Sequence, residues 1–351
     1  MNRLQGENLS IRDLFPELGQ RMGEFDFGQH AKHAKNVLVL GGAGSIGSEI
    51  VRLICNNTIW NTTVADSDES RLHDVKASLP LGLKSRLDTF VCDIRDEVSV
   101  LETVRKKSWD LVIHAAALKH VPVLEQQPRE AYLTNVIGTR NILRALESSE
   151  CGRFIFVSSD KAANPKSVLG KTKLIGERLT ANLASGQVST LGSKPISSGV
   201  VRFGNVFLSR GSVIDTFLGQ IKRGEDLTVT SPEMTRYFMD LCDASMLTIG
   251  MGVEDFEGIR VLKMGNPISI LELAQRLIYF YESESKIEIV GVKPGEKLHE
   301  DLISDTENYF QASEKYWDIK FTKTMGLHAV SSEIPSNNQN ALIEIQNLIG
   351  Y

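Results

Sequence analysis

The chain has 351 residues, 42% of them hydrophobic and 24% charged, with a formal net charge of -5. That is ordinary globular composition with room for a large core in one or two domains. The slight acidity excludes a basic field for nucleic acid or an anionic membrane surface, so any anion site must be local. The four cysteines, Cys55, Cys92, Cys151 and Cys242, show no CxxC or CxxH spacing; Cys55, Cys92 and Cys242 sit beside apolar neighbours and read as reduced core thiols of a soluble, cytoplasmic protein.

Residues 1–34 are polar and lack the apolar run of a signal peptide, and no stretch approaches the roughly 20 apolar residues that cross a bilayer. An amphipathic pattern around Ile11–Met22 suggests a short helix in an N-terminal extension, packed on the outside or on a partner subunit. From Asn36, short apolar runs alternate with helical periodicity. Strands are expected at 36–40, 62–65, 89–92, 110–115 and 153–158, and helices at 45–54, 70–79, 99–107, about 130–148 and about 168–183. This alternation predicts an α/β fold, a Rossmann-type doubly wound parallel sheet over residues 35–204. A Gly/Ser-rich loop at 184–199 leads to a strand at 199–206. Loops, short helices and turn signals at 209–212, 222–226 and 293–297 then predict a smaller C-terminal substrate-binding lobe, with some segments returning to the sheet and a terminal helix.

Between the first strand and its helix stands Gly41-Gly42-Ala43-Gly44-Ser45-Ile46-Gly47. Gly41, Gly44 and Gly47 have the spacing that lets a backbone turn tightly and approach a pyrophosphate, while Ser45 and Ile46 open a helix whose free N–H groups face that anion. Asp66, at the end of the second strand, suits the adenosine ribose hydroxyls and would repel a 2′-phosphate. With Ser67 and Asp68 following, and no Arg or Lys, NAD is favoured over NADP. Asp66 would serve equally as a cap for the next helix. Asp93 is placed either for the adenine amino group or as a turn residue, and Ile94, Ala115 and Ala116, at the ends of the third and fourth strands, complete the expected cofactor contacts.

Five motifs carry a more specific signal: HAAALKHVP (114–122), SSDKAANPKSVLGKTK (158–173), VRFGNV (201–206), PEMTRYFMD (232–240) and KPGEKLHED (293–301). Together, from about Lys35 to Ser304, they resemble the polysaccharide-biosynthesis branch of the extended short-chain dehydrogenase/reductases, which contains the UDP-N-acetylglucosamine 4,6-dehydratases. The resemblance implies a lyase that oxidises the sugar at C4 by passing hydride to NAD, expels water across C5 and C6, and returns the hydride to C6. It implies Asp160 as the acid at the C6 hydroxyl, Lys161 as the C5 base, Ser159 as a hydrogen-bonding partner of the C4 oxygen and Lys173 on the nicotinamide ribose. The structural alternative for Asp160 and Lys161 is an ion pair on the surface.

The sequence departs from the wider superfamily at Leu169, where a Tyr-x-x-x-Lys would place tyrosine, so the C4 base is left among Asp160, Lys161 and Lys119 acting through water. Tyr316-x-x-x-Lys320 lies far beyond the cofactor sheet and is a decoy. Asn205 and Arg236 are expected on the substrate diphosphate, with Lys119, Glu296 and Lys297 also toward the nucleotide sugar; a structural ion pair for Arg236 and a surface turn at 293–297 are the alternatives. His114 and His120 lack the companions of a metal site, and Asn135 is expected to bond a neighbouring strand. A homodimer or higher homo-oligomer follows from the resemblance of the two long helices to those that pair in this superfamily. The rivals are a nucleotide-sugar 4-epimerase or oxidoreductase on the same scaffold and a non-catalytic nucleotide-binding regulator.

Overall fold

The computed structural model describes residues 9–16, 27–28, 35–184 and 196–350. In the first half, α1 (Ile11–Leu14) precedes β1 (Asn36–Leu40), α2 (Ser45–Asn57), β2 (Asn61–Asp66), α3 (Glu69–Ser78), β3 (Leu87–Val91), α4 (Glu97–Val104), β4 (Leu111–His114), α5 (Val121–Gln126), α6 (Pro128–Ala131), α7 (Gly138–Glu147), β5 (Arg153–Val157), α8 (Val168–Ala184) and β6 (Ser197–Arg202). The second half supplies β7 (Asn205–Val206), α9 (Val213–Arg223), β8 (Leu227–Val229), β9 (Thr235–Arg236), β10 (Phe238–Met239), α10 (Leu241–Val253), β11 (Gly258–Leu262), β12 (Ile268–Ser269), α11 (Ile270–Phe280), β13 (Ile287–Ile289), β14 (Tyr309–Gln311), β15 (Tyr316–Ile319) and α12 (Asn338–Gly350).

Parallel pairing runs β3-β2-β1-β4-β5-β6-β11, and β15 and β14 extend that edge antiparallel. Residues Val37–Leu40, all of β4 and all of β5 are buried, as expected for central strands covered by helices on both faces. The chain is a Rossmann-type doubly wound α/β protein. Strand order reverses between β1 and β4, and the crevice at their carboxyl ends is where such sheets take ligands. Among the described residues no helix is long and apolar enough to cross a membrane.

Three expectations need correction. The strand read over 199–206 breaks into β6 and β7 around Phe203 and Gly204, because β7 leaves the sheet to pair with β10. The long helix at about 130–148 is continuous in course, but Tyr132–Ile137 winds as a π-helix between α6 and α7. Within that wider turn, Asn135 accepts from Leu118 N (2.9 Å) and donates to Leu118 O and Thr172 Oγ1 (both 3.1 Å). It therefore clamps the loop after β4 rather than a strand. Of the Ile11–Met22 helix, the described part is α1, which ends before Pro16; proline has no N–H to continue a helix and disfavours helical backbone at the residue before it. Residues 17–22 lie outside the described residues.

The core has two parts. The larger surrounds the sheet and draws in Leu302, Ile319, Leu327 and Ile345 from beyond residue 205. The smaller is the lobe, built on Phe217, Leu227, Ile270 and Leu273, and it includes Leu9, Ile11, Leu14 and Phe15. The stretch 9–15 thus belongs to the lobe's interior, not to its outside. Arg12 ties it to Asp240 and Asp243 at the start of α10, and the Arg276 guanidinium lies 4.1 Å from the Phe15 ring centre.

The last described segment lies across α6 and α8. Arg129 donates to Pro335 O (2.8 Å), Arg140 to Ser331 O (2.6 Å) and Arg178 to Ile349 O (2.9 Å), while α12 packs on both helices.

Arg202, fully buried at the end of β6, joins these parts. It donates to Glu177 of α8 (2.7 and 3.1 Å), to Glu307 (2.8 and 2.9 Å) and to Leu302 O (3.2 Å). Replacing Arg202 with Ala leaves two buried carboxylates without their cation and is expected to cost about 3–5 kcal/mol, read as a lower urea midpoint. Burial alone would raise the Glu307 pKa, but hydrogen bonds and charge from Arg202 hold it below its ordinary value. Its contribution to stability is therefore full above the usual Glu range and lost as pH falls through the lowered value. Acid titration of the Glu307→Gln variant should show a shallower loss of stability than the wild type.

Candidate active site

The glycine loop is shaped by the protein on one side and left open on the other. Gly41 has φ +75°, and a Cβ there would fall 2.3 Å from Ala116 N, so the turn and the close approach of Ala115 and Ala116 both require glycine. A Cβ on Gly47 would lie 2.3 Å from Gly41 O, which fixes the packing of α2 on the loop. At Gly44 the added atom would meet only Gly41 O at 3.3 Å, so the fold itself does not demand glycine there. Gly44 is also the N-cap of α2 and contributes no side-chain cap, leaving the N–H groups at Ser45 and Ile46 for an anion. That open face fits a dinucleotide pyrophosphate.

Asp66 closes the crevice beside β2. It accepts from Ala43 N (3.0 Å) and Asp68 N (3.1 Å), so it braces the glycine loop. It does not cap α3; Asp68 does, accepting from Arg71 N at 3.0 Å. Asp93 accepts from Arg95 N (3.0 Å) and pairs with the Arg95 guanidinium (2.6 Å), which lowers its pKa. Ile94 packs against Gly138, and its carbonyl accepts from Asn141 (3.1 Å). Ser45 Oγ accepts from Arg210 N at 3.4 Å, bringing the loop after β7 to the mouth of the crevice.

At the end of β5, Ser159 starts a short 3-10 turn over Asp160–Ala162. Ser159 Oγ donates to Asp160 Oδ1 at 2.8 Å. Asp160 is fully buried, and its Oδ2 has no hydrogen-bond partner among the described residues. Lys161 turns inward: its side chain is 17% exposed, and its ammonium lies 3.1 Å from Asp160 Oδ1, 3.2 Å from Asn205 Oδ1 and 3.6 Å from Glu300 Oε1. Asp160 and Lys161 do form an ion pair, but it is buried at the end of β5 and not on the surface. Below them, Lys173 donates to Val157 O (2.9 Å) and lies 4.8 Å from the Phe156 ring centre; burial lowers its pKa to about 8.

Other residues take more structural positions. Arg236 gives its terminal nitrogens to the carbonyls of Thr235 (2.7 Å), Leu298 (3.1 Å) and Lys297 (2.9 Å), pinning the 293–301 segment in place of an ion pair. Lys297 is buried, donating to Ala163 O (3.2 Å) and Asp301 (3.1 Å), so this motif is more than a surface turn. Glu296 accepts from Lys293 N (3.1 Å) within the turn. Lys119 is exposed as a residue, yet protein packed around its ammonium lowers its pKa by desolvation. His114 Nε2 meets Thr139 Oγ1 at 2.9 Å between Phe154 and Phe156, and burial lowers its pKa to about 3, which keeps the ring neutral. Leu169 is buried in the large core. Tyr316 sits on edge strand β15 with the Arg260 guanidinium 3.9 Å from its ring centre, so its spacing to Lys320 has no bearing on the crevice.

Sequence reasoning missed Glu300 and Glu125. Glu300 lies inside a motif that was read only for its first residues. Glu125 accepts from Val168 N (2.7 Å) at the start of α8 and touches the turn at Gly295, whose φ is +80°.

Residues 37–320 match the family model described as "Polysaccharide biosynthesis protein". The chain belongs to that family. The probable polysaccharide biosynthesis protein EpsC of Bacillus subtilis (strain 168) is 40% identical over 85% of this chain and 50% of its own, so the chain spans about half the length of this relative. The UDP-glucose 4-epimerase of Rickettsia akari (strain Hartford) is 34% identical over 78% of this chain and 79% of its own. The X-ray structure of Pen from Bacillus thuringiensis superposes with a TM-score of 0.75 at 33% identity, covering 83% of this chain and 90% of that one.

Asp66 offers a direct test of the cofactor crevice. Substitution by Ser removes the carboxylate that accepts from Ala43 N and should weaken dinucleotide binding about tenfold in a calorimetric titration.

Proposed function

We propose that the protein is an NAD-dependent 4,6-dehydratase acting on UDP-N-acetylglucosamine or a close relative, in the biosynthesis of a surface polysaccharide. The observation that carries this reading is the inward ammonium of Lys161 beside the buried carboxyl of Asp160, at the carboxyl end of a sheet whose glycine loop fits a dinucleotide. A nicotinamide held there supplies hydride acceptance at the sugar C4 and hydride return at C6.

The chain's residues account for the remaining events. Ser159 bonds the C4 oxygen and keeps the hexose at the end of β5. Oxidation at C4 acidifies the C5 proton, and Lys161 in its amine form takes it. Asp160 in its acid form gives its proton to the C6 hydroxyl, which leaves as water. Elimination turns the amine and acid into ammonium and carboxylate; the Lys161 ammonium gives its proton back to C5 when hydride reaches C6, and the proton released from the C4 hydroxyl makes up for the one that leaves in the water. Lys173 reaches the cofactor ribose from below, and Asn205 and Arg236 hold the diphosphate end, Arg236 through the segment that it pins. With Leu169 in the core, the C4 proton leaves through Asp160, Lys161 or a water on Lys119. A homodimer or higher oligomer in the cytoplasm is part of this reading.

The name of the Rickettsia akari relative favours a second reading, a 4-epimerase on the same scaffold. Epimerisation at C4 needs no acid and base at C6 and C5, and the Asp160–Lys161 pair weighs against it.

Incubation with UDP-N-acetylglucosamine and NAD should yield a 4-keto-6-deoxy product; the 4-epimer alone would instead establish the second reading. Lys161→Ala is expected to lower product formation about 10²–10⁴-fold with NAD affinity unchanged, and full activity would sink the role of Lys161. Leu169→Tyr is expected to destabilise the protein by about 1–3 kcal/mol through overpacking without raising the rate, as read by urea denaturation and by product assay.

A further inference from the structure

Glu300 stands at the centre of the charged cluster and has no place in the reaction so far. It comes from the 293–301 segment, which Arg236 fastens to β9, and its side chain is 4% exposed. Oε1 lies 3.6 Å from Lys161 Nζ. Oε2 lies 3.9 Å from Lys297 Nζ and has no hydrogen-bond partner among the described residues. Lys161 is thus flanked by carboxylates on two sides, Asp160 on its own turn and Glu300 across the crevice, with the Asn205 side-chain oxygen on a third.

We propose that Glu300 is a positioning residue for Lys161: it holds the amine at the mouth of the Asp160 turn and balances the positive charge that Lys161 gains on taking a proton from the sugar. This rests on the dehydratase reading and deepens it. Asp160 cannot perform both tasks, because as the acid it must be neutral when Lys161 is the base. A separate carboxylate that takes no part in the proton transfer is needed to favour the new ammonium, and within a buried site its charge acts with little screening.

Charges of both signs surround Glu300. Burial raises the Glu300 pKa and Asp160 adds to the rise, while Lys161, Arg236 and Lys297 oppose it; the balance leaves Glu300 above the usual carboxylate range. Of the cations that oppose this rise, Lys161 at 3.6 Å is the one whose charge Glu300 meets. Lys297 is itself engaged by Asp301 at 3.1 Å. The proton transfer leaves Glu300 unchanged, with one N–H bond formed on Lys161 and one C–H bond broken at C5.

The Glu300→Gln variant of the full chain separates this role from a merely structural one. An anion beside an amine favours its ammonium form, so in the variant Lys161 should act as base and nucleophile at lower pH than in the wild type. Two measurements read that shift. The first is the ascending limb of the kcat/KM profile with UDP-N-acetylglucosamine, expected to move down with it, while kcat on the plateau falls about tenfold and KM stays close to the wild-type value. The second is the pH midpoint of Lys161 acetylation by acetic anhydride, followed by mass spectrometry, which needs no turnover. Glu300→Asp keeps the charge and should restore most of the midpoint. If E300Q loses NAD binding, Glu300→Ser, which leaves room for water, carries the same test. Wild-type midpoint and plateau in the charge-removing variant overturn the proposal. Absence of a 4-keto product from the unaltered enzyme instead overturns the dehydratase reading, and the acetylation midpoint still decides whether Glu300 governs Lys161.

Discussion

The structure depends on a single buried guanidinium. Arg202 has no solvent exposure, and its donors are taken up by Glu177, Glu307 and the carbonyl of Leu302. Burial alone would lower its pKa; the two carboxylates overcome that and hold it above its ordinary value. A charge so placed is stable only while its partners stay put, so three separate stretches of chain are held in one geometry. One is β6, the second is the helix that carries Lys173, and the third is the return from the lobe to the sheet just after Glu300. Ser158, next to the reactive turn, joins the same network by donating to Glu177 at 2.6 Å.

Because of that network, the turn at 158–161 and the segment at 293–301 meet with little freedom. The Lys161 ammonium receives a neighbour from β5's own turn, from β7 and from the far segment, each anchored by backbone hydrogen bonds: Asp160 N to Phe203 O at 3.0 Å, Asn205 N to Tyr237 O at 2.9 Å, and Thr235 N to Leu298 O at 2.9 Å. The break that removes β7 from the sheet is what allows Asn205 to face Lys161. A strand continuing straight from β6 would carry it away along the sheet.

Much of this was legible from residue pattern. Local periodicity locates the strands and helices of the cofactor half, since buried parallel strands are short apolar runs and their helices repeat at a different period. The glycine loop and the 158–161 turn are contiguous in sequence, so their chemistry can be read locally. What could not be read is set by contacts between distant segments. Glu300 and Lys161 come together only through the fold. Arg236 looks like a free cation in sequence, yet its donors go to carbonyls that pattern alone does not locate. Residues 1–34 read as polar as a whole, yet four apolar side chains within 9–15 join the lobe's core. The π turn at Tyr132–Ile137 leaves no mark in composition, because a side-chain clamp at Asn135 accompanies it rather than any residue preference.

The tail that lies over α6 and α8 sets a condition on self-association. Carbonyls at Ser331, Pro335 and Ile349 already receive Arg140, Arg129 and Arg178, and α12 covers the same helices. A tethered segment competes with a free one at an effective concentration on the order of millimolar. A second molecule reaching for those helices would therefore have to outbid a ligand that is always present, or approach over α12 itself.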